Sequence, residues 1–210
     1  MPFVSGAPLD ESGRCALCRL GLSGFDAVYV YGSHEGALRK LVQLLKYQGM
    51  QPLARPLGAL VARVLPLEQR FDVIVPMPLH WRRRFERGFN QAALLAREIG
   101  RRTGTPVENA VGRVKPTAPQ AGLTNAKRWV NVSGAFRVKR GVRLDGLRVL
   151  LVDDVLTTGA TAGACARALK RAGAAHVALA AVARADRRLV LSYAPEFSAV
   201  PLAAAAESTV

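Results

Sequence analysis

The chain has 210 residues, half of them hydrophobic, which suits one ordinary domain with additions and supplies enough apolar side chains for a substantial core. No apolar run reaches the roughly eighteen residues of a membrane span, and the first residues lack the basic-then-apolar pattern of a signal peptide. We therefore expect a cytoplasmic protein without membrane insertion. The formal charge of +15 attracts polyanions such as nucleic acids, nucleotides or pyrophosphate-bearing metabolites, although an Arg- and Ala-rich genome explains the excess equally well.

The three cysteines are too few for a disulfide framework. Cys15 and Cys18 form a lone CxxC pair, whereas Cys165 lies far away in a helical pattern. A closed zinc site needs four ligands. His34 is a candidate third ligand, but it falls where we expect a helix to begin. The ligand count therefore argues against zinc, unless another copy of the chain supplies ligands.

The first part of the chain divides into an irregular and a helical segment. Residues 1–30 contain scattered Gly, Pro and Ser and predict an irregular segment, the remnant of a zinc module if the cysteines once bound metal. Residues 31–68 predict two amphipathic helices, packed on the core of the following domain. The first begins after the candidate N-cap Ser33 and stops at Gly49; the second covers roughly Leu53 to Leu65.

Apolar strands and helices alternate over residues 69–190, which predicts an α/β domain. Near-continuous apolar strands indicate a mainly parallel twisted sheet with helices on both faces. The tail, residues 191–210, lacks periodicity and predicts a loose segment. The predicted strands and helices of the domain are Asp72–Pro76, Gln91–Arg102, Ala110–Val114, Phe136–Val138, Leu147–Val152, Thr161–Ala172 and His176–Val182.

The most informative motif is VLLVDDVLTTGAT, Val149–Thr161, in which an apolar strand runs into two aspartates. Ligands of open parallel sheets bind at the carboxyl ends of the strands. Asp153 and Asp154 point to opposite faces, so they can reach different parts of one ligand. Because carboxylates accept hydrogen bonds, this pair suits a vicinal diol.

The turn after the aspartates predicts an anion site. It leads into a helix N-terminus, where unpaired backbone N–H groups and the helix dipole favour negative charge. Gly159 allows a close backbone approach, and the threonines add hydroxyl donors. Diol acceptors beside a phosphate cradle fit a ribose 5-phosphate. The predicted ribose 5-phosphate residues are Asp153, Asp154, Thr157, Thr158, Gly159, Ala160 and Thr161.

Simpler explanations exist for each half of this motif. Two aspartates after a strand are often a solvated turn, and a threonine before a helix is often only a cap. Either half alone favours those explanations, whereas their combination favours a binding site. The turn lacks GxxxxGK[ST] and GxGxxG, which argues against a P-loop and a dinucleotide fingerprint. A receiver-type acidic pocket also uses paired aspartates near a strand end, but its chemistry does not require a Thr/Gly turn directly after them.

VLLVDDVLTTGAT resembles the phosphoribosyl-pyrophosphate motif of type I phosphoribosyltransferases, and most of residues 28–185 resembles the ComF subgroup. RGFNQ, Arg87–Gln91, is the most subgroup-specific element. ComF-type proteins usually begin with a zinc ribbon of two CxxC pairs; only Cys15 and Cys18 are kept here, so we expect a degenerate zinc module. The resemblance further includes Leu38–Gly49 (LRKLVQLLKYQG), Val75–Gln91 (VPMPLHWRRRFERGFNQ), Arg113, Thr117, Gln120, Leu123, Arg128, Asn131 and Phe136.

The resemblance implies a type I phosphoribosyltransferase fold preceded by a short N-terminal helical segment, and it implies roles for several segments. The loop Met77–Asn90 would bind pyrophosphate, chiefly through Arg82 and Arg87, because guanidinium groups suit phosphate. The region Lys115–Arg128 would form a mobile lid. The implied catalytic residues are Asp153 and Asp154, and the implied mobile-loop residues are Arg113, Gln120 and Arg128.

The implied reaction is transfer of the phosphoribosyl group to a nitrogenous, nucleobase-like acceptor with release of pyrophosphate. Mg²⁺ would be bound mainly through the pyrophosphate of the substrate, and no protein ligand to a metal is assigned. Trp129 could stack on the acceptor base, although a core position is the more ordinary role for a tryptophan. No residue is assigned as the general base; Asp154 and Glu86 are the two candidates.

A second hypothesis is a non-catalytic ComF-like protein that acts in DNA uptake during competence. It would bind single-stranded DNA or a competence helicase. The positive charge favours this hypothesis, whereas an aromatic content of 6% does not favour a stacking platform for single strands. The acceptor and the retention of catalysis stay open, as does the oligomeric state, a homodimer being common in this fold.

Overall fold

A four-stranded parallel sheet organises the part of the chain described in the computed structural model, which comprises residues 24–79, 85, 87–114 and 134–185. The strands follow the spatial order β1-β6-β5-β2. The elements are β1 (Ala27–Ser33), α1 (Gly36–Tyr47), a 3-10 turn (Gln51–Leu53), α2 (Ala54–Arg63), β2 (Val73–Pro76), α3 (Gln91–Thr103), β3 (Val111–Arg113), β4 (Phe136–Val138), β5 (Arg148–Leu156), α4 (Ala160–Arg171) and β6 (His176–Arg184).

All neighbouring strands of this sheet are parallel, as the alternation of strands and helices predicts. β5 pairs with β2 on one side and with β6 on the other, so its Val149 lies between Val73 and Val177. β3 and β4 form a separate antiparallel pair. The predicted mainly parallel sheet is thus confirmed, and β5 occupies an interior position.

Each face of the sheet has its own apolar core. Leu150 and Val152 of β5 pack in the core that contains residues of α1, α2 and α3. Val149 and Leu151 pack in the other core, which contains α4 and the β3–β4 pair. The VLLV run therefore buries alternate side chains on opposite faces, which is why it carries no polar residue.

Helix α1 is fixed to the sheet by its apolar stripe. Val42 and Leu45 are fully buried, and Leu38 and Leu41 pack beside them at helical spacing. The predicted N-cap was wrong by two residues: Ser33 ends β1, and Glu35 is the N-cap without a side-chain hydrogen bond. The stripe nevertheless places the last turn of α1 beside the carboxyl end of the sheet.

Helix α3 begins with a side-chain cap. The side chain of Asn90 accepts a hydrogen bond from the backbone N–H of Ala92 at 3.0 Å, which satisfies one of the unpaired amides of the first turn. Its amide nitrogen also donates to the carbonyl of Met77 at 3.0 Å. One side chain thus connects the segment after β2 to the start of α3.

Two differences from the predicted elements matter for the site. β1 lies partly within residues 1–30, which we predicted to be irregular, so the predicted boundary at residue 31 falls inside a strand. β5 continues to Leu156 rather than ending at Val152, because the residues from Asp153 onward still pair with β6. Asp153 and Asp154 therefore lie within a strand and not in a turn. None of the helices in the described ranges is long and apolar enough to cross a bilayer.

Candidate functional site

A cavity of about 210 Å³ opens at the carboxyl end of the sheet. Six parts of the chain form its wall: the ends of α1 and β5, the segment after β2, the region leading into α3, strand β3 and the start of α4. The lining residues are Lys46, Tyr47, Met77, Pro78, Leu79, Arg87, Gln91, Arg113, Asp153, Asp154, Val155, Leu156, Thr157, Gly159, Thr161 and Ala162.

The two aspartates of β5 reach the cavity from opposite faces of the sheet. Asp153 continues the row of Val149 and Leu151, on the α4 side. Asp154 continues the row of Leu150 and Val152, on the α1 side. The pleat of the strand thus gives the two carboxylates different neighbours, as adjacent strand residues must have.

Asp154 is buried and only partly satisfied. The residue is 3% exposed, and its Oδ1 lies 2.8 Å from the ammonium of Lys46. Its Oδ2 has no hydrogen-bond partner within the described ranges. Buried carboxylates normally have partners for both oxygens, so this one has capacity to accept a hydrogen bond from a ligand.

Asp153 is held in an environment that disfavours its charge. Burial, followed by the neighbouring negative charge of Asp154, raises the pKa of Asp153 well above its usual range. Asp153 is partly exposed to the cavity. The surrounding protein nevertheless lies close to its carboxyl group, so burial is the main cause of the raised pKa. Lys46 and the backbone N–H of Asp154, which donates to Asp153 Oδ1 at 2.9 Å, act in the opposite direction.

Cys165 of α4 lies on the Asp153 side of the sheet and is fully buried. Burial, with the charge of Asp153 second, raises the pKa of the Cys165 thiol far above its usual range. A thiol in that state is not a nucleophile. Cys165 therefore contributes packing on the Asp153 side of the sheet rather than chemistry.

The turn between β5 and α4 supplies the other end of the cavity. Gly159 is the N-cap of α4 with φ of +75°, a left-handed conformation that strongly favours glycine. The Oγ1 of Thr158 is 3.5 Å from the backbone nitrogen of Ala160, and neither residue lines the cavity. Thr157, Gly159 and Thr161 do line it. The N-terminus of α4 thus faces the same space as the aspartates.

Arg87 is positioned by residues from two helices. Its Nη1 donates to the Oε1 of Gln91 at 2.7 Å, and its guanidinium carbon lies 5.4 Å from the ring centroid of Tyr47. Gln91 is a buried polar residue, 4% exposed, in the first turn of α3. A guanidinium that is hydrogen-bonded to an amide and in contact with a ring is preorganised for an anion.

Arg113 of β3 also lines the cavity, and its guanidinium carbon lies 5.5 Å from the ring centroid of Phe136. The structure therefore brings together Asp153, Asp154, Arg87, Arg113 and part of the Thr/Gly turn. Several other predicted residues and segments lie outside the described ranges. They are Cys15, Cys18, Arg82, Glu86, Gln120, Arg128, Trp129, most of the basic residues of the loop Met77–Asn90, and the predicted lid Lys115–Arg128.

His34, the candidate zinc ligand, lies near the ion pair of the cavity. Burial first, and then the charges of Lys46 and Arg39, lower the pKa of His34, while Asp154 acts to raise it. No group of three His, Cys, Asp or Glu side chains that could hold a metal occurs within the described ranges. His34 is therefore part of the electrostatic surroundings of Asp154.

Three polar cavity residues had no predicted role: Lys46, Tyr47 and Gln91. Lys46 and Tyr47 belong to the LRKLVQLLKYQG segment and Gln91 to RGFNQ, so the resemblance included them as pattern without chemistry. A signal was present for Lys46 and Tyr47, because a polar Lys-Tyr step directly follows the buried Leu45 at the end of an apolar stripe. Their contacts with Asp154 and Arg87 depend on the tertiary fold.

The matching domain model and the similar proteins agree on one family. The phosphoribosyl transferase domain model matches residues 91–201. Competence protein F of Haemophilus influenzae is 31% identical over 180 residues, which cover 82% of this chain and 79% of that protein. The DNA utilization protein YhgH of Escherichia coli K12 is 33% identical over 170 residues, 78% of this chain and 74% of that protein. Among solved structures, the glutamine phosphoribosylpyrophosphate amidotransferase of B. subtilis has a TM-score of 0.41 and 23% identity, covering 60% of this chain and 25% of that one.

Proposed function

This chain belongs to the phosphoribosyltransferase family, in its ComF-type branch, and we propose that its cavity binds phosphoribosyl pyrophosphate together with Mg²⁺. The family and the type I fold predicted from the sequence are confirmed by the domain match, the relatives and the parallel sheet. The observation that carries the ligand proposal is the buried, half-satisfied carboxylate of Asp154 beside Asp153, in a cavity that also contains a helix N-terminus.

In this proposal the ribose hydroxyls donate hydrogen bonds to Asp153 and Asp154. Those bonds supply the partner that the buried Oδ2 of Asp154 lacks. The 5-phosphate binds at the turn Thr157–Thr161, where the backbone amides and the dipole of α4 favour an anion. A sugar phosphate thus matches both ends of the cavity, whereas a neutral sugar or a bare phosphate would match only one.

The pyrophosphate group would lie against Arg87 and Arg113. Both side chains line the cavity, and both are held by aromatic or amide neighbours. Two guanidinium groups offset only part of the charge of a pyrophosphate, so a Mg²⁺ ion carried on its oxygens fits the site. When bound, that ion would supply further neutralisation of the leaving group.

The proposed reaction is a displacement at the anomeric carbon of the ribose. A nitrogen of the acceptor forms a bond to that carbon while the bond to the pyrophosphate oxygen breaks, its electron pair leaving with pyrophosphate; the acceptor then loses a proton to solvent or to a base that we do not assign. The carboxylates of Asp153 and Asp154 lie where positive charge develops on the sugar, and they stabilise it. The arginines stabilise the leaving group.

The test measures binding first and turnover second. Titration calorimetry should show binding of phosphoribosyl pyrophosphate that weakens strongly without Mg²⁺. Release of pyrophosphate should then rise above the rate in buffer with at least one member of a nucleobase panel. Absence of heat at millimolar ligand, with and without Mg²⁺, would contradict the binding proposal. Binding without turnover would contradict only the transfer step.

A second candidate function is a non-catalytic part in DNA uptake. The two relatives named above are called a competence protein and a DNA utilization protein, and the charge of +15 favours a polyanionic partner. In that case the chain would bind single-stranded DNA, or a helicase acting on it. Affinity for an oligonucleotide should fall steeply between 50 and 200 mM salt, because phosphate contacts release counterions. Absence of oligonucleotide binding at low salt would contradict direct contact between this protein and DNA.

A further inference from the structure

The last turn of α1 lies outside the region matched by the phosphoribosyl transferase domain model, yet it supplies a cation to the cavity. We propose that Lys46 is a positioning residue for the ribose diol: its ammonium compensates the charge of Asp154 and orients that carboxylate so that it accepts a ligand hydroxyl. This inference rests on the proposed function, because it assigns Lys46 a part in the same binding site.

The first support is the placement of Lys46. It directly follows Leu45, which is fully buried in the core under α1, so the helix holds the lysine at the carboxyl end of the sheet. Its side chain is only 19% exposed, and its Nζ lies 2.8 Å from Asp154 Oδ1. Lys40, on the same helix, is exposed and does not line the cavity. The ammonium of Lys46 is therefore committed to the site.

The second support is the capacity that the ion pair leaves on Asp154. Lys46 contacts one oxygen, and the other has no partner within the described residues. The terminal torsion of an aspartate is soft, so a small rotation can turn the unpartnered Oδ2 toward the cavity while Oδ1 stays near Lys46. A lysine that served only stability would be expected in a fully satisfied pair, since an unpaired buried acceptor is costly.

The third support is the charge balance around the two carboxylates. The groups that face them are Lys46 from α1, His34 after β1, Arg113 from β3 and Cys165 from α4. Of these, Lys46 is the cation that lowers the pKa of Asp153, against burial and Asp154. Without it the pKa of Asp153 would rise further, and a protonated carboxyl accepts fewer hydrogen bonds.

This reasoning separates two roles that a lysine could have. A counter-charge for the ligand phosphate would strengthen binding of every sugar phosphate alike. A residue that positions Asp154 would strengthen binding only through the hydroxyls. The ratio of affinities for ribose 5-phosphate and 2-deoxyribose 5-phosphate therefore reports the second role, because these probes share the phosphate and differ by one hydroxyl.

The experiment titrates both probes into the full chain and into three variants, at pH 6.5 and pH 8.5. The wild type should prefer ribose 5-phosphate by about tenfold, the order expected for a hydrogen bond to a charged group. In Lys46→Met the preference should fall to about twofold at pH 6.5 and recover partly at pH 8.5, as Asp153 ionises. Lys46→Arg should keep most of the preference, and Lys40→Met, with the same loss of charge, should equal the wild type.

Two results would overturn the inference. Equal losses for both probes in Lys46→Met would make Lys46 a phosphate counter-charge, and an unchanged preference would give it no role in binding. If the methionine variant does not stay folded, Lys46→Gln provides the same neutral test. If the wild type binds neither sugar phosphate at either pH, the proposed function itself fails, which is distinct from wild-type binding that does not depend on Lys46.

Discussion

Two lysine–aspartate pairs lie at opposite ends of the sheet and differ in how fully the carboxylate is used. At the amino end, Asp26 accepts from Lys170 through Oδ1 and from the backbone N–H of Val177 through Oδ2, at 2.5 and 2.8 Å. At the carboxyl end, Asp154 pairs with Lys46 through one oxygen only. The first carboxylate is about one-third exposed and saturated, whereas the second is buried and unsaturated.

The same pair of residue types therefore has two different consequences. Asp26 fastens the start of β1 to β6, and the hydrogen bonds from Lys170 and Val177 lower its pKa even though partial burial acts to raise it. At the other end, burial and the second acid raise the pKa of Asp153. A saturated carboxylate in partial contact with water stabilises the fold, whereas a desolvated pair of acids costs stability and is kept where a ligand needs it.

The largest expected effect follows from removing charge at each end. Asp154→Asn should weaken binding of phosphoribosyl pyrophosphate by about 100-fold, because it removes a charged acceptor for the ribose hydroxyls. Asp26→Asn, the matched change at the far end of the sheet, should leave the dissociation constant unchanged. Calorimetric titration of both variants checks this. Equal binding by the two variants would mean that the carboxyl end of β5 is not the ribose site.

The pH dependence of stability should have opposite signs at the two ends. Because the folded state raises the pKa of Asp153, its ionisation destabilises the fold progressively as the pH rises above the ordinary carboxyl value near 4. Asp153→Asn should therefore melt higher than the wild type near pH 8, on the order of 5 °C, with the gain vanishing near pH 4. Because the fold lowers the pKa of Asp26, its contribution is present at neutral pH and is lost as the pH falls through the folded value.

Melting temperatures of Asp153→Asn and Asp26→Asn, measured from pH 3 to pH 8 without ligand, test these signs. The deficit of Asp26→Asn relative to the wild type should shrink toward pH 3. Parallel curves for the two variants would contradict the contrast between the two ends of the sheet.

The lysines should differ in what they contribute to stability. Lys46→Met leaves a buried carboxylate without its cation and should lower the free energy of unfolding by about 2 kcal/mol at neutral pH, below the full cost of a broken buried pair because Lys46 keeps some exposure. Lys170→Met removes a partner from a pair that is about one-third exposed and should cost about 0.5 kcal/mol. Urea unfolding at pH 7 measures both, and the reverse order would contradict the burial argument.

The effect of Asp26→Asn on stability should lie between those of Lys46→Met and Lys170→Met. The substitution removes the charge but keeps an oxygen that can accept from Val177, so a loss of about 1 kcal/mol at pH 7 is expected. Denaturant unfolding gives this value. A loss as large as that of Lys46→Met would contradict the expectation that the more exposed Asp26–Lys170 pair contributes less to the free energy of unfolding.

The motif-bearing half of the protein was predictable from local patterns. The helix from Gln91, the strand before Asp153 and the helix after Gly159 each combine apolar periodicity with an explicit start or stop signal, and the structure has all three. The aspartates and the turn belong to one contiguous motif, so the sequence already places them side by side. Their common cavity followed from the rule that parallel strands end at one edge.

What local patterns missed depends on pairing across the chain. AVYVYGS, Ala27–Ser33, mixes small, aromatic and glycine residues, and it becomes a strand because β6 offers it a parallel edge. The part of β5 beyond Val152 is likewise held by pairing with β6. The contacts of Lys46 with Asp154 and of Tyr47 with Arg87 join residues far apart in sequence, and no periodicity encodes them.

The pairing of β1 with β6 also determines which residues a fragment of this protein must contain. The domain match begins at Gln91, yet the strand that covers the open edge of β6 and the lysine that neutralises Asp154 both come earlier in the chain. A fragment cut at the homology boundary would bare the backbone of β6 and leave a buried acid without its cation. The region matched by the family model and the region that completes the sheet and the ion pair therefore have different borders in this protein.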